Sequence, residues 1–205
     1  MDSPEVRKKL MRKASVTRTT KETDIAIELD LDGSGVAKSS TGVPAFDHML
    51  EAFGRHGMFD LDVRAEGDLE IDAHHTVEDV GIVLGQAFDQ CLGDRAGIHR
   101  FGDIVLPMDE ALVLAAVDIS GRGQLHYDVK VPFEFIGNFE TSLAREFFIS
   151  LCSNMGLTLH LKSLAGDNTH HILEAAFKAC GRAVSEAVAI DPRLQGRIPS
   201  TKGSI

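Results

Sequence analysis

The chain has 205 residues, 43% hydrophobic and 25% charged, the composition of a soluble globular protein long enough to bury a sizeable core. No apolar run reaches the roughly 18 residues of a membrane span, and the basic opening MDSPEVRKKLMRKASV lacks the apolar stretch of a secretory signal. A formal net charge of -10 opposes broad binding to nucleic acid or anionic membrane, leaving a small molecule as the expected partner.

Three cysteines, Cys91, Cys152 and Cys180, form no C-x-x-C pair, and their odd number argues against a closed disulfide framework. The expectation is reduced, packed thiols in a cytoplasmic protein.

In chain order, TDIAIELDLDG from Thr23 alternates strictly, with Ile25, Ile27, Leu29 and Leu31 on one face, and predicts a half-buried strand ending at Asp32-Gly33. SGVAKSSTG reads as a loop. Pro44 then opens a helix carrying Phe46, Met49, Leu50 and Phe53 at helical spacing. LDVRAEG follows as a strand, and Asp72 is placed to cap a helix whose Val77, Val80, Leu84, Phe88 and Cys91 face a core, with Gly93 as its stop.

The second half repeats the order. ALVLAAVDIS and GQLHYDVKV read as strands, SLAREFFISLCSNMG as a helix, LTLHLKS as a strand and HHILEAAFKACGRAVSEAVAI as a long helix. An offset of about 96 residues superposes His74 on His170, His75 on His171, Glu78 on Glu174 and Gly85 on Gly181 without a gap. The expected fold is therefore α/β, an α+β layered sandwich of two pseudo-repeated ββαβα halves, roughly residues 14–95 and 108–190, packed as one unit across 1–205. The tail, 191–205, has a different composition, and on composition alone it reads as a frayed terminus.

The duplicated His-His-x-x-Glu is the feature that asks for chemistry. Neighbouring helical side chains diverge by about 100°, so His74 and His75 cannot easily chelate one ion together. Glu78 lies one turn on and can join either imidazole. Imidazole with carboxylate suits a divalent transition metal. One such pair alone reads equally as a capped helix start with two exposed polar residues; its recurrence at matching positions favours metal ligation, each helix feeding two sites. His48 in FDHML and Glu146 in LAREFF, at comparable places in the two halves, are further candidates. His99, His126 and His160 are assigned structural places only.

RTTKETDI, FDHMLEAFGRHG, DAHHTVEDVGIVLGQA, GIHRFG, PMDEAL, DISGRG, LHLKSLAGDNTHHILEAAFKA and PSTKG occur in that order. On these motifs, the chain resembles the imidazoleglycerol-phosphate dehydratase family, in its monofunctional form, over nearly its whole length. The resemblance implies a hydro-lyase of histidine biosynthesis that dehydrates imidazole glycerol phosphate to imidazole acetol phosphate. It implies two manganese ions per active site and a 24-subunit homo-oligomer with sites at subunit interfaces. The abstracted proton lies beside a hydroxyl rather than a carbonyl, so the imidazole must assist, by an imidazolate and a diazafulvene-like intermediate.

By motif match, the resemblance carries metal roles to His48, His74, His75, Glu78, Glu146, His170, His171 and Glu174, with Glu78 and Glu174 also counted as catalytic. Glu146 is a departure, because many relatives have histidine there. Glu22 is the candidate base at the substrate. His56 faces the substrate, and Arg100, Arg122, Ser200 and Lys202 hold its phosphate, which turns the tail from a frayed end into a substrate clamp. Two other readings use the same side chains: a metal-buffering shell, and a metal-dependent phosphoester hydrolase.

Overall fold

The computed structural model describes residues 12–205. Most of the basic opening MDSPEVRKKLMRKASV lies outside them.

Strands β1 (Lys13–Thr19), β2 (Thr23–Asp30), β3 (Ala37–Ser40) and β4 (Asp60–Gly67) form one sheet in the order β1-β2-β4-β3. β1, β2 and β4 pair antiparallel, and β3 runs parallel to β4. Strands β5 (Phe101–Met108), β6 (Ala111–Asp118), β7 (Gln124–Asp128) and β10 (Thr158–Ala165) form a second sheet, β5-β6-β10-β7, with the same sequence of pairings. A short hairpin, β8 (Phe135–Ile136) and β9 (Phe139–Glu140), stands apart.

Each four-stranded sheet has one strand more than the ββαβα expectation, and the second half adds the β8–β9 hairpin. β3 is a four-residue edge strand of alternating half-buried and exposed residues, with too little apolar pattern in AKSS to announce itself. β5 is the opposite edge of its sheet, and Pro107 near its end is tolerated because an edge strand leaves one side unpaired.

Helices α1 (Pro44–Gly57) and α2 (His74–Leu92) pack on the first sheet, and α3 (Leu143–Met155) and α4 (Thr169–Val188) on the second. α1 packs against α4 and α2 against α3, so the helices form a double layer between the sheets. The inward faces supply one continuous core, in which Ile25, Ile27, Phe46, Phe53, Phe88, Phe147 and Phe177 are fully buried. Each such side chain contributes about 1.5–3 kcal/mol by leaving water.

Glycine sets the helix spacing. A Cβ at Gly181 on α4 would stand 2.3 Å from the Phe53 carbonyl oxygen of α1, and one at Gly85 on α2 would stand 2.9 Å from the Leu151 carbonyl of α3. Residues aligned by the internal repeat thus perform the same packing task. Gly181→Ala is expected to destabilise the fold by about 1–3 kcal/mol, because backbone, not a movable side chain, occupies the space. A urea denaturation midpoint unchanged from that of the parent would refute the close packing.

Both helix pairs run parallel. Gly57 meets Gly181 towards the ends of α1 and α4, and Gly81 and Gly85 meet successive residues of α3. All four N-termini therefore gather at one end, where Phe46 of α1 lies 5.5 Å from Phe147 of α3.

The three cysteines are free and buried. Burial pushes the Cys91 and Cys152 thiols up to about 12, which leaves them unreactive at neutral pH. No helix among the described residues is long and apolar enough to cross a membrane.

Candidate metal centre

The His-His pairs open α2 and α4 because a polar side chain two residues earlier accepts their backbone hydrogens. On α4, Asn168 accepts from the N–H groups of His170 (2.9 Å) and His171 (3.3 Å). At the position the repeat aligns with it, the Asp72 carboxylate accepts from the His74 N–H at 2.7 Å. Asp72 serves the start of α2 as expected, although the capping position itself is Ala73.

The structure brings His48, His170 and Glu174 together, with one ligand atom of each lying within 4.8 Å of the others. His48 Nε2 stands 3.1 Å and His170 Nε2 3.0 Å from the same carboxylate oxygen of Glu174, and the two rings stack at 5.4 Å between centroids. The other oxygen accepts from Lys178 at 2.7 Å. Burial opposes ionisation of Glu174, but the hydrogen bonds from Lys178 and then His48 outweigh it and hold this carboxyl at about 2. Two imidazoles and one ionised carboxylate converging from α1 and α4 form a nitrogen and oxygen donor set that fits a divalent transition metal.

The starts of α2 and α3, one helix from each half, line a related corner. His74 and Glu146 line one cavity of about 510 Å³ between the starts of α2 and α3, together with Asp72, Glu140 and Phe135. Glu146 is to α3 what His48 is to α1, and Glu78 is half-buried one turn after His74. His75 and His171 point elsewhere. Nδ1 of His75 lies 2.9 Å from the Asp68 carboxylate, and Nδ1 of His171 lies 2.8 Å from the Glu110 carboxylate. These bonds raise the pKa of both histidines against a smaller opposing effect of burial, and the Glu22 charge acts on His75 in the same direction.

Glu22 is exposed in the turn between β1 and β2, where its N–H donates to Thr20 Oγ1 and its carbonyl accepts from the Asp68 N–H, both at 3.1 Å. Asp68, Glu110 and Lys178 were not singled out in the sequence. Only Lys178 had a visible signal, its place one turn after Glu174 on the same helix face.

The candidates for phosphate lie elsewhere. Arg100 immediately precedes β5, with its guanidinium on Asp118 (2.7 and 3.2 Å) and on the Pro199 carbonyl (2.9 Å). It shares a cavity of about 500 Å³ with Arg197, Pro199 and Ser200. Arg122 stands in the SGRG turn, and the tail returns to that turn, since a Cβ at Gly121 would lie 3.0 Å from Ile205. Lys202 is exposed and its N–H donates to Ser200 Oγ at 3.2 Å. His56, in the last turn of α1, lines a different cavity with Asp103 and Arg182. Burial, then the charges of Lys178 and Arg182, lower its pKa.

The two groups occupy opposite ends of the molecule. The Arg100 N–H donates to the Ala187 carbonyl near the end of α4, whereas His170 opens that helix. At about 1.5 Å per residue these points are about 26 Å apart along the axis. His126 and His160, given no role, face each other across β7 and β10 with ring centroids 4.1 Å apart. A further cavity of about 570 Å³ opens on the outer face of the first sheet beside Lys13, Glu28 and Lys38, and it holds none of the candidate residues.

A double helix layer carrying paired imidazole and carboxylate groups defines an α/β protein with a candidate metal site. The family model for imidazoleglycerol-phosphate dehydratase matches residues 41–184. Imidazoleglycerol-phosphate dehydratases from Acidiphilium cryptum and Microcystis aeruginosa are 59% and 57% identical to it, over 95% and 94% of this chain and 99% and 92% of theirs. Among solved structures, the dehydratase from Staphylococcus aureus superposes with a TM-score of 0.79 at 36% identity, covering 87% of this chain and 99% of that one. The enzyme from Pyrococcus furiosus, in complex with (S)-C348, gives 0.79 at 39% identity, covering 93% and 100%. The chain belongs to the imidazoleglycerol-phosphate dehydratase family, and its enzyme class is that of the hydro-lyases.

Proposed function

We propose that this protein dehydrates imidazole glycerol phosphate to imidazole acetol phosphate in histidine biosynthesis and does so with two divalent metal ions, manganese by preference, in each active site. The observation that carries the metal dependence is the convergence of His48, His170 and Glu174 within 4.8 Å. His74 and Glu78 of α2 and Glu146 of α3 are the corresponding donors at the other helix pair, and His75 and His171 complete the set. Bound at these residues, the ions would supply Lewis acidity towards the substrate's imidazole and fix its orientation.

The chain's own groups do the rest. The hydroxyl beside the ring leaves with the ring N–H proton as water, giving a diazafulvene-like intermediate; Glu22 takes the proton from the neighbouring carbon of that intermediate, giving an enol that becomes the ketone. Arg100, Arg122, Ser200 and Lys202 hold the phosphate, and arginine suits that task because its fork can grip two oxygens at once. His56 packs at the substrate's side.

The separation of about 26 Å along α4 supports an active site shared between copies. A small phosphorylated imidazole cannot reach from His170 to Arg100 within one chain, so its two ends meet residues of different subunits. We take the assembly to be the 24-subunit homo-oligomer that the family resemblance implies, in a reducing cytoplasm that leaves the three cysteines free.

Anaerobic incubation of manganese-loaded protein with imidazole glycerol phosphate tests this reading. The expected result is ketone without free phosphate, with turnover and the large assembly both lost after rigorous chelation. Free phosphate as the product would favour the phosphoester hydrolase, and no product from an intact, metal-loaded assembly would favour the metal-buffering shell.

A further inference from the structure

The two histidines of each pair differ in what stands behind them. His170, the first of its pair, directs Nε2 at the Glu174 oxygen within its own cluster. The second histidines, His75 and His171, both have Nδ1 against a carboxylate, Asp68 in one half and Glu110 in the other. An ionised carboxylate can only accept, so the bonded Nδ1 carries hydrogen. In the neutral ring the lone pair then resides on Nε2, on the far side of the ring from that carboxylate; on His171 this atom lies 3.9 Å from a second carboxylate, Asp109.

The carboxylates reach their histidines by unrelated routes. Asp68 immediately follows β4, seven residues before His75, whereas Glu110 closes the β5–β6 turn, 61 residues before His171. Internal repetition alone would have placed them at matching positions. Two independent origins for one bond to one atom point to a requirement of the histidine rather than an inheritance of the loop.

We propose that Asp68 and Glu110 are positioning residues that fix His75 and His171 in the tautomer and orientation that present Nε2 to metal; this rests on the metal centre proposed above. Glu110 immediately precedes β6 as Glu22 immediately precedes β2, so the two glutamates hold corresponding places in the two sheets. In the second half that glutamate is committed to His171. In the first half Asp68 takes the histidine, which releases Glu22 for proton transfer and confines the base to one half. Asp68 is itself braced by its backbone, whose N–H donates to the Glu22 carbonyl at 3.1 Å.

Mn²⁺ binding by equilibrium dialysis on the full chain, with the visible spectrum of the Co²⁺-loaded protein, tests the proposal. Asp68→Asn and Glu110→Gln are each expected to weaken Mn²⁺ binding by about 10–100-fold, the range typical of groups that orient metal ligands. Each should also alter the Co²⁺ spectrum, a signature that a merely structural role would leave unmoved. If Asp68→Asn fails to fold by circular dichroism, Glu110→Gln in its turn decides. Parent-like affinity and spectrum in the folded variants, with the parent binding normally, would overturn the positioning role alone. A parent chain that binds neither ion would remove the metal centre and this proposal together.

Discussion

Glu22→Gln is expected to lower kcat by about 10²–10⁴-fold, the usual contribution of a positioned general base, while metal content and assembly stay as in the parent. The substitution conserves size and removes only the capacity to take a proton. It leaves intact the backbone bonds that hold the turn, from the Glu22 N–H to Thr20 and from the Asp68 N–H to the Glu22 carbonyl. Because the Nδ1 partner of His75 is Asp68, the metal-facing histidine should not feel the change beyond loss of a nearby negative charge. KM should move far less than kcat, as befits an interaction made mainly in the transition state. Full turnover by a well-assembled variant would reject Glu22 as the base and direct attention to the cluster carboxylates.

Much of this was legible because period and chemistry coincide in the sequence. The alternation of TDIAIELD and the helical spacing of Phe46, Met49, Leu50 and Phe53 report burial on one face, and the structure buries those residues. The repeat was visible only because His, His and Glu survive at a fixed offset. Edge strands were not legible: β3 exposes half its residues, and β5 breaks its alternation with Gly102 and Pro107. The β8–β9 hairpin was missed for a related reason, since its two-residue strands have no period to read, although Phe139 is buried against Phe46. Within the site, candidate donors could be proposed from residue chemistry, whereas Asp68 and Glu110 could not. Their function lies in which ring nitrogen they touch, and that depends on how the turns after β4 and β5 fold back over the helix starts. Nor could the opposite placement of metal and phosphate candidates be seen before all four helices were known to start at the same end.

Glu174→Gln is expected to weaken Mn²⁺ binding by more than about 100-fold, since groups one shell further out are already worth about 10–100-fold. Glu174 is the hub of its cluster: one oxygen faces His48 and His170, and the other accepts from Lys178. Gln keeps the shape but removes the charge, so the nearly buried Lys178 ammonium faces two imidazoles without its anion. At pH 7 the metal-free variant should be less stable by about 1–3 kcal/mol, the cost of leaving a buried polar group poorly satisfied. The pH dependence has a definite sign. With its carboxyl held at about 2, well below the ordinary glutamate value of 4.5, Glu174 contributes stability that is fully present above 4.5 and is lost as pH falls towards 2. Acid unfolding of the metal-free parent should therefore include a component in that window, and Glu174→Gln should lack it. Dialysis against Mn²⁺ and acid titrations followed by circular dichroism measure the two effects separately. A variant with parent-like metal affinity would remove Glu174 from the ligand set, whereas weak metal binding with an unchanged acid limb would keep it as a ligand and deny its ion pair with Lys178 any part in folding.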